Sequence, residues 1–377
     1  NNKNMGKFYI IRDCYFPNTA PTNRMMGFIK GFSELGIKTD VVFFMPDFSL
    51  SKAPQIDGVT YHYYWKYLPT KNRILRFFYY QFIYVYILYF KIKRGDKVLV
   101  LGCDDVVTLL SKKKGIDVYY ERTEHTNYSR TRFLNYRSFF RACANIKGLF
   151  MISEPLKKLF VEHGADENKT YIINMIVDSS RFTGLVKQAT ERYIAYCGTA
   201  SNNKDGVDEL IKSFALVHKK HSDIKLYIIG KTPDKEDSAG NLRLVEDLGI
   251  KDYVVFTGIV QASEMPQLLK NAEIVALDRP DSLQAQHGFP TKLGEYLLTE
   301  NPVVVTKVGD IPLFIKDGET GLLAEERNPK EFSEKLIWAI EHPKEAAEIG
   351  KCGAVLAMRE FNYLNETKKM ASIIFKD

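Results

Sequence analysis

The 377-residue sequence is long enough for two domains with sizeable hydrophobic cores. Its 45% hydrophobic and 26% charged residues are ordinary for a globular protein and exclude disordered, collagen-like and disulfide-dense chains. The net charge of +7 is uneven, because residues 1–185 carry 28 Lys and Arg against 16 Asp and Glu; since no nucleic-acid motif accompanies them, we expect a membrane surface or a lipid phosphate as anionic partner.

The cysteines indicate the cellular compartment. There are five, they are scattered, and no CxxC pair occurs, so a zinc site or a disulfide framework is not expected. No secretory signal pattern is visible in the sequence. We therefore expect a cytoplasmic protein, with peripheral contact between its basic half and the inner face of the membrane.

The first elements predict a strand, a helix and a second strand. Phe8–Ile11 is an apolar run, apolar residues recur at helical spacing over 22–35, and Thr39–Phe44 is apolar again. A βαβ start of this kind favours a parallel sheet. The connecting loop, residues 17–21, contains no glycine, so it is not a dinucleotide-binding fingerprint.

An unusual apolar run extends from Phe77 to Phe90, with Gln81 as its only interruption. Its fourteen residues are too few to span a bilayer, which needs about 20. A buried helix of the N-terminal domain is the favoured interpretation. The alternative is a helix that also docks on a membrane, because basic residues flank the run on both sides: Lys71, Arg73, Arg76, Lys91, Lys93 and Arg94.

Asp104 and Asp105 follow the predicted strand Val98–Leu101 at the start of a helix. Paired aspartates suggest a metal, but helix N-termini favour Asp anyway and no further ligands are nearby in the sequence. No metal site is expected.

The second half restarts with the strand Tyr193–Cys197, followed by Gly198 and a loop that contains Lys204. The next predicted strand, Leu226–Ile229, ends at Gly230, where a backbone can approach a ligand closely.

The stretch from Asp278 to Gly321 is the most informative. A strand, Ile274–Leu277, precedes a Gly/Pro-containing loop, and a predicted helix opens near Pro290. Open parallel sheets bind ligands at the carboxyl ends of their strands, and a helix N-terminus suits a phosphate. Glu295, about one turn inside the helix, could accept two hydroxyls of a ribose.

This stretch resembles the donor-site signature of the retaining glycosyltransferases of family 4 (group 1), which have the GT-B fold. Their signature is Glu, seven residues and Glu, usually with Gly-Phe after the first Glu. Gly288-Phe289 and Glu295 match, and His287 stands at the first Glu. Lys204 also matches the family's lysine, and Thr199 stands where an arginine is usual.

The resemblance implies an α/β protein with the GT-B fold, in which two Rossmann-like domains face each other across a cleft. Residues 1–185 would form the acceptor-binding domain and residues 186–358 the domain that binds the nucleotide-sugar donor. Residues 359–377 would form a C-terminal helix that crosses back to the first domain.

The resemblance also implies the site residues. Those expected to be catalytic are His125, Lys204 and His287. Contacts to substrate are expected from a larger set in loops and at helix starts: Arg24, Gly198, Thr199, Lys204, Gly230, Ile259, Gly288, Phe289, Pro290, Thr291, Lys292, Leu293 and Glu295. For Arg24 a solvated helix arginine, and for His125 a water-binding loop histidine, are the competing interpretations.

The expected function is a retaining, metal-independent glycosyl transfer from a nucleotide diphosphate sugar, which is a substrate and not a cofactor. The acceptor would be a saccharide or lipid-linked, as in bacterial surface polysaccharide or glycolipid assembly. Two alternatives stay open. One is a catalytically silent, nucleotide-binding partner of a membrane transferase, suggested by His287 and Thr199; the other is a sugar-nucleotide epimerase of the same fold.

Overall fold

The computed structural model describes residues 6–44, 51–64, 72–126, 136–231 and 235–376. The chain divides into two compact units. Unit 1 comprises Asn1–Asn174 and Tyr363–Asp377, and unit 2 comprises Met175–Asn362. The division falls eleven residues before the predicted boundary at residue 185, because the backbone N–H of Val177 donates to the carbonyl of Phe361 (2.8 Å) within unit 2.

Unit 1 is built on a seven-stranded parallel sheet of order β3-β2-β1-β4-β5-β6-β7. Its strands are β1 (Phe8–Arg12), β2 (Thr39–Phe43), β3 (Val59–Tyr63), β4 (Lys97–Leu101), β5 (Asp117–Arg122), β6 (Gly148–Met151) and β7 (Thr170–Ile172). The five inner strands are short and almost fully buried, as expected for a parallel sheet covered on both faces, whereas the edge strands β3 and β7 are partly exposed. The helices in chain order are α1 (Ala20–Glu34), α2 (Arg73–Tyr86), α3 (Asp104–Leu110), α4 (Tyr136–Ala144) and α5 (Glu154–Glu162).

Unit 2 contains a six-stranded parallel sheet of order β10-β9-β8-β11-β12-β13. Its strands are β8 (Tyr193–Cys197), β9 (Lys225–Ile229), β10 (Val254–Gly258), β11 (Ile274–Leu277), β12 (Val303–Thr306) and β13 (Leu322–Ala324). The strand order reverses between β8 and β11, which makes their carboxyl ends the topological switch point where such sheets bind ligands. The predicted α/β class with two parallel sheets is confirmed.

The helices of unit 2 begin with two segments joined at Gly206, α6 (Asn202–Asp205) and α7 (Val207–His218). The remaining ones are α8 (Lys235–Asp247), α9 (Met265–Asn271), α10 (Leu283–His287), α11 (Thr291–Leu298), α12 (Ile311–Phe314), α13 (Pro329–Glu341) and α14 (Pro343–Glu360). The loop predicted before Pro290 therefore contains a short helix, α10.

The last helix, α15 (Tyr363–Ile374), belongs to unit 1 and packs on α1. Gly31 permits the close approach, since a Cβ at this position would lie 2.3 Å from Thr367 Oγ1. The Glu366 carboxylate accepts the backbone N–H of Asn174 at 2.6 Å, so the end of the first long segment and the last helix are joined.

The apolar run in α2 is not a buried helix, and that favoured prediction is wrong. Ile83 and Ile87 are buried, but nine large apolar side chains of residues 74–90 are exposed. The helix continues from α2 into a π-helical segment, Ile87–Lys91. Within the described ranges, no helix is long and apolar enough to cross a membrane. Lys71 lies outside the described residues, and so do the side chains of Arg73 and Arg76.

A glycine at the α6–α7 junction generates a test of the fold. Gly206 has φ +61°, and a Cβ there would lie 1.8 Å from the carbonyl oxygen of Asp278. Gly206→Ala is expected to lower the free energy of unfolding by about 2–5 kcal/mol, the combined cost of left-handed backbone and overpacking. Urea unfolding of the purified protein measures the change.

The matched control is Gly240→Ala in α8, where an added Cβ meets nothing within 4 Å. Helix propensity predicts that this control raises stability by about 0.5–1 kcal/mol. Equal stability of the two variants would contradict the close approach at Gly206.

Candidate functional site

The predicted donor residues of unit 2 gather at the carboxyl ends of β8, β9 and β11. Gly198 follows β8 and Gly230 follows β9, and both have positive φ. A Cβ at Gly230 would lie 2.0 Å from the Gly198 carbonyl oxygen, and a Cβ at Gly198 would lie 2.3 Å from Lys292 Nζ. Gly230 is therefore required, because the backbone of Gly198 lies too close for a side chain there, whereas a side chain at Gly198 would displace the Lys292 ammonium group.

Helix α11 is fixed to the end of β8 by a fully buried tyrosine. The Tyr296 hydroxyl donates to the carbonyl of Cys197 and accepts its backbone N–H, both at 2.7 Å. Because Lys292 and Glu295 lie on the same helix within four residues of Tyr296, these bonds set where both side chains leave the helix. Sequence analysis did not identify Tyr296.

A buried carboxylate holds Lys292. The ammonium group of Lys292 donates to Asp205 Oδ2 and lies 3.0 Å from the Tyr196 hydroxyl, which in turn lies 2.7 Å from Asp205 Oδ2. Burial lowers the pKa of Lys292, although Asp205 opposes the shift. Burial alone would raise the pKa of Asp205, but Lys292, Tyr196 and Arg279 outweigh it and the pKa is lowered. The site therefore contains a preformed ion pair.

Lys204 provides the second cation. It lies in the short helix α6, immediately before Asp205, and is half-exposed. Its charge contributes to lowering the pKa of Lys292, so the two lysines are near enough to interact. Among the residues that the structure describes, no carboxylate forms an ion pair with Lys204. Because Asp205 compensates Lys292, Lys204 is the cation better able to attract an anion.

Glu295 forms an ion pair that sequence analysis missed. Arg181 Nη1 donates to Glu295 Oε1, and Arg181 Nη2 donates to the carbonyl of Ala262 at 3.2 Å. The Glu295 side chain keeps 23% of its surface exposed, so it stays accessible to a ligand. Burial raises the pKa of Glu295, although the Arg181 guanidinium opposes the shift. No local sequence pattern connects Arg181 with Glu295, because the two residues are 114 positions apart in the chain.

His287 is the last residue of α10. Its Nδ1 lies 3.0 Å from the carbonyl of Leu283, and a carbonyl only accepts, so Nδ1 carries a hydrogen and donates it. The imidazole is half-exposed, and a role toward a ligand stays a prediction.

Several residues predicted to contact substrate are packing residues in the structure. Phe289 is buried and its ring contacts those of Phe314 and Phe361, at centroid distances of 5.4 and 5.5 Å. Leu293 is fully buried and Pro290 is buried where α11 begins. These side chains position the start of α11, and a contact to ligand could come only from backbone atoms near them.

The remaining donor-site candidates differ in exposure. Ile259 is 78% exposed just after β10, whereas Gly288 is buried between α10 and α11 and Thr291 is half-exposed at the first position of α11. The carbonyl of Thr199 lies 2.9 Å from the Tyr196 hydroxyl, so this residue is tied to the Asp205 network through its backbone.

The candidates in unit 1 lie at the carboxyl end of its own sheet. Arg24 is not a solvated helix arginine: it is 5% exposed, its Nε donates to Glu121 at 2.6 Å, and its Nη atoms donate to the carbonyls of Asn174 and Ile173. Each guanidinium nitrogen therefore donates a hydrogen bond to a residue of unit 1. His125 is 8% exposed, and its carbonyl accepts from Arg122 at 3.3 Å. Ligand roles for both residues stay predictions.

The aspartate pair in unit 1 has a structural explanation. Asp104 accepts from Arg122 Nη1 at 2.5 Å and from the Tyr120 hydroxyl. Cys103, not an aspartate, stands at the N-cap position of α3, and its side chain makes no capping hydrogen bond. Burial and the Asp104 charge raise the pKa of Asp105 to about 6. In the part of the chain that the structure describes, no three His, Cys, Asp or Glu side chains cluster as metal ligands would.

Comparison with known protein families identifies a match within unit 2, the unit that contains the predicted donor residues. Residues 191–342 match the family model "Glycosyl transferases group 1", which covers most of unit 2. The resemblance to group 1 glycosyltransferases is thereby confirmed, whereas assignment to family 4 stays a prediction.

Two curated relatives match part of the chain. The D-inositol 3-phosphate glycosyltransferase of Corynebacterium glutamicum is 22% identical over 235 residues, 58% of this chain and 54% of that protein. The GDP-mannose-dependent alpha-(1-6)-phosphatidylinositol monomannoside mannosyltransferase of Mycolicibacterium smegmatis is 24% identical over 187 residues, 49% and 48% of the two chains. The chain thus spans about half the length of these relatives.

A solved structure extends the similarity to both units. Anabaena Alr3699/HepE in complex with UDP matches 98% of this chain and 100% of its own, with a TM-score of 0.76 and 15% identity. At this identity the likeness concerns the fold alone, and the predicted GT-B fold is confirmed.

The Arg181–Glu295 pair generates a prediction about charge. Arg181→Met removes the group that opposes the effect of burial, so the pKa of Glu295 is expected to rise further above its usual range. Carbon-13 NMR titration of the glutamate carboxyls measures it, with the resonance assigned by its absence in Glu295→Gln.

Arg192→Met serves as the control, since Arg192 donates to Glu273 and Asp223 and not to Glu295. The control should leave the Glu295 titration unchanged. An unchanged Glu295 pKa in Arg181→Met would mean that the ion pair does not exist in solution.

Proposed function

We propose that the chain is a retaining, metal-independent glycosyltransferase, because residues 191–342 match the group 1 glycosyltransferase family model. It transfers a sugar from a nucleotide diphosphate sugar to a saccharide or lipid-linked acceptor. The observation that carries the proposal is the position of Lys204, Lys292 and Glu295 at the switch point of the unit 2 sheet.

The donor is oriented by these side chains. The ribose hydroxyls donate hydrogen bonds to the Glu295 carboxylate. These bonds replace part of the interaction between Glu295 and Arg181. The diphosphate lies at the N-terminus of α11, where unpaired backbone N–H groups and the helix dipole favour an anion. Lys204 faces the diphosphate. Lys292 contributes mainly a hydrogen bond, because Asp205 neutralises part of its charge.

The chemistry follows from this arrangement. The bond between the anomeric carbon and the diphosphate oxygen breaks, and the acceptor oxygen forms its bond to that carbon on the same face. The acceptor proton passes to an oxygen of the leaving diphosphate. Lys204 stabilises the charge that develops on that group, which is why its contribution is largest in the transition state.

His287 contributes a hydrogen bond in this proposal. Nδ1–H is committed to the carbonyl of Leu283, so Nε2 is the atom that faces phosphate, and it donates when the ring is protonated. The imidazole then supplies part of the positive charge that Thr199 does not provide.

The acceptor and the cellular location are proposed together. The Mycolicibacterium relative is named for a phosphatidylinositol mannoside, which supports a lipid-linked acceptor here. The basic character of residues 1–185 supports peripheral contact with an anionic inner membrane face from the cytoplasm, and a place in surface polysaccharide or glycolipid assembly.

A second candidate function is a silent, nucleotide-binding subunit that assists a membrane transferase. The favouring observation is the Lys292–Asp205 ion pair, which leaves less uncompensated positive charge for a leaving diphosphate than two lysines would suggest.

One experiment separates these functions. A thermal-shift screen with UDP, GDP, ADP and CMP identifies the nucleotide, and the matching nucleotide sugars are then incubated with acceptors in EDTA. Release of nucleotide with retained turnover is the expected result. Binding without release supports the silent subunit, and turnover that returns only with magnesium or manganese contradicts metal independence.

Glu295→Ala ties this experiment to the site. Loss of hydrogen bonds to a charged group should weaken nucleotide binding by roughly 1.5–3 kcal/mol. The control Glu319→Ala, at an exposed turn, should change binding by less than about 0.5 kcal/mol.

A charge reversal tests His287. His287→Glu places a carboxylate beside the diphosphate and should lower kcat about tenfold or more, whereas His287→Gln, which keeps a donor, should have a smaller effect. Steady-state kinetics on the three proteins decides. An unchanged or higher rate in His287→Glu would reject the phosphate role and leave a sugar-facing residue.

A further inference from the structure

One face of unit 1 exposes an unusual density of large apolar side chains. They lie on α2 and the π-helical segment that continues it, each is between 37% and 73% exposed, and we call them the aromatic surface: Ile74, Leu75, Phe77, Phe78, Phe82, Val85, Tyr86, Tyr89 and Phe90. Single exposed apolar residues are normal, but contiguous patches of this kind mark an interaction site.

The opposite face of the helix attaches this surface to unit 1. Ile83 and Ile87 are buried, and Ile87 and Leu88 face Val106, Leu109 and Leu110 of α3 across a narrow apolar gap. The Tyr79 hydroxyl donates to the carbonyl of Tyr64 at 2.9 Å. The aromatic surface therefore points away from unit 1, because the opposite face of the helix packs against the unit.

Basic residues gather at the carboxyl end of the same helix. Lys113 donates to the carbonyls of Leu88 and Ile92, and its ammonium group lies 6.0 Å from the Tyr89 ring. This contact brings the loop after α3 against the end of the helix. The basic cluster that results comes from two separate segments: Lys91, Lys93, Arg94, Lys112, Lys113 and Lys114.

The cluster is accessible and strongly positive. Lys93, Arg94, Lys112 and Lys114 are exposed, and none of the described carboxylates forms an ion pair with any of these four. The long stems of such side chains reach toward a surface while their charges stay hydrated. An anionic partner is therefore expected next to the aromatic surface.

We propose that the aromatic surface and the basic cluster together dock on an anionic lipid bilayer, with the helix lying in the plane of the interface. Residues 73–91 extend about 28 Å along the helix, and the aromatic side chains enter the boundary between headgroups and acyl chains. Tyr86 and Tyr89 suit the headgroup level, where an apolar ring meets water.

Charge decides between a bilayer and a second copy of the chain. A two-fold dimer through this helix would face its own surface, with the basic cluster repeated in both copies and no Asp or Glu in the sequence of residues 71–94 to pair with it. Anionic lipids supply the missing negative charge, and each nearby Lys or Arg strengthens that attraction. This inference deepens the membrane contact proposed above and rests on it.

Vesicle flotation of the full chain tests the proposal. The protein is expected to float with phosphatidylcholine vesicles that contain phosphatidylglycerol, and to do so less at high salt or with phosphatidylcholine alone. The double variant Phe78→Ser, Phe82→Ser should weaken the binding about tenfold or more, because two aromatic rings no longer enter the bilayer.

A matched control removes similarly exposed apolar side chains elsewhere. Leu313→Ser with Val355→Ser, in unit 2, should bind vesicles like the wild type. The triple variant Lys93→Glu, Lys112→Glu, Lys114→Glu should lose the preference for phosphatidylglycerol. Equal binding by the wild type and the Phe78, Phe82 variant overturns the proposal.

Sedimentation without vesicles tests the alternative that a second copy of the chain binds the aromatic surface. If the wild type is a dimer that Phe78→Ser, Phe82→Ser converts to a monomer, the surface is an interface between copies and the bilayer proposal is rejected. A thermal shift with the nucleotide that binds best checks that each variant is folded. If the wild type binds nucleotide but not vesicles, only the membrane proposal is contradicted. If it binds vesicles but no nucleotide, only the proposed transferase function is contradicted.

Discussion

The buried carboxylate of Asp205 is the interaction on which the donor-site geometry depends. It holds the Lys292 ammonium group and lies 2.7 Å from the Tyr196 hydroxyl, so it connects the loop after β8 with helix α11. Taking two charges out of water is costly, and a pair of this kind contributes little net stability. Loss of either partner, however, would leave a buried charge without compensation. The pair is therefore best understood as a means of fixing where α11 begins relative to the sheet.

Helix α11 then presents two side chains that are each held before a ligand arrives. Lys292 is held by Asp205, and Glu295 is held by Arg181 from a segment 114 residues away. Preorganisation of this kind lowers the entropic cost of binding, but a ribose must compete with the Arg181 guanidinium for the carboxylate. Of the two site lysines, Lys204 in α6 is the one whose charge no described carboxylate compensates, because Asp205 holds Lys292.

Unit 1 differs from unit 2 in how it uses charge. At the carboxyl end of its sheet, arginines are consumed internally, since Arg24 pairs with Glu121 and Arg122 pairs with Asp104. Part of its exposed positive charge lies beside the aromatic surface, where Lys113 joins the loop after α3 to the end of the helix. In the proposed function, unit 2 binds the nucleotide sugar and unit 1 contacts the lipid surface, which is the division of roles expected for a lipid-linked acceptor.

The sequence by itself determined the α/β class, most strands of both sheets and the positions of Lys204, Lys292 and Glu295 at strand ends and helix starts. These follow from local periodicity and turn chemistry, which the chain carries within a few residues. Only the tertiary structure decided which groups those side chains meet, because Asp205 and Lys292 are 87 residues apart. It also decided that Phe289 packs inward and that nine large apolar side chains between residues 74 and 90 face outward while Ile83 and Ile87 face inward. An apolar sequence shows that burial is favourable but not which partner buries it. A helix of the core and a helix that docks on a membrane can therefore have similar sequences, and the tertiary structure determines which side of the helix is exposed.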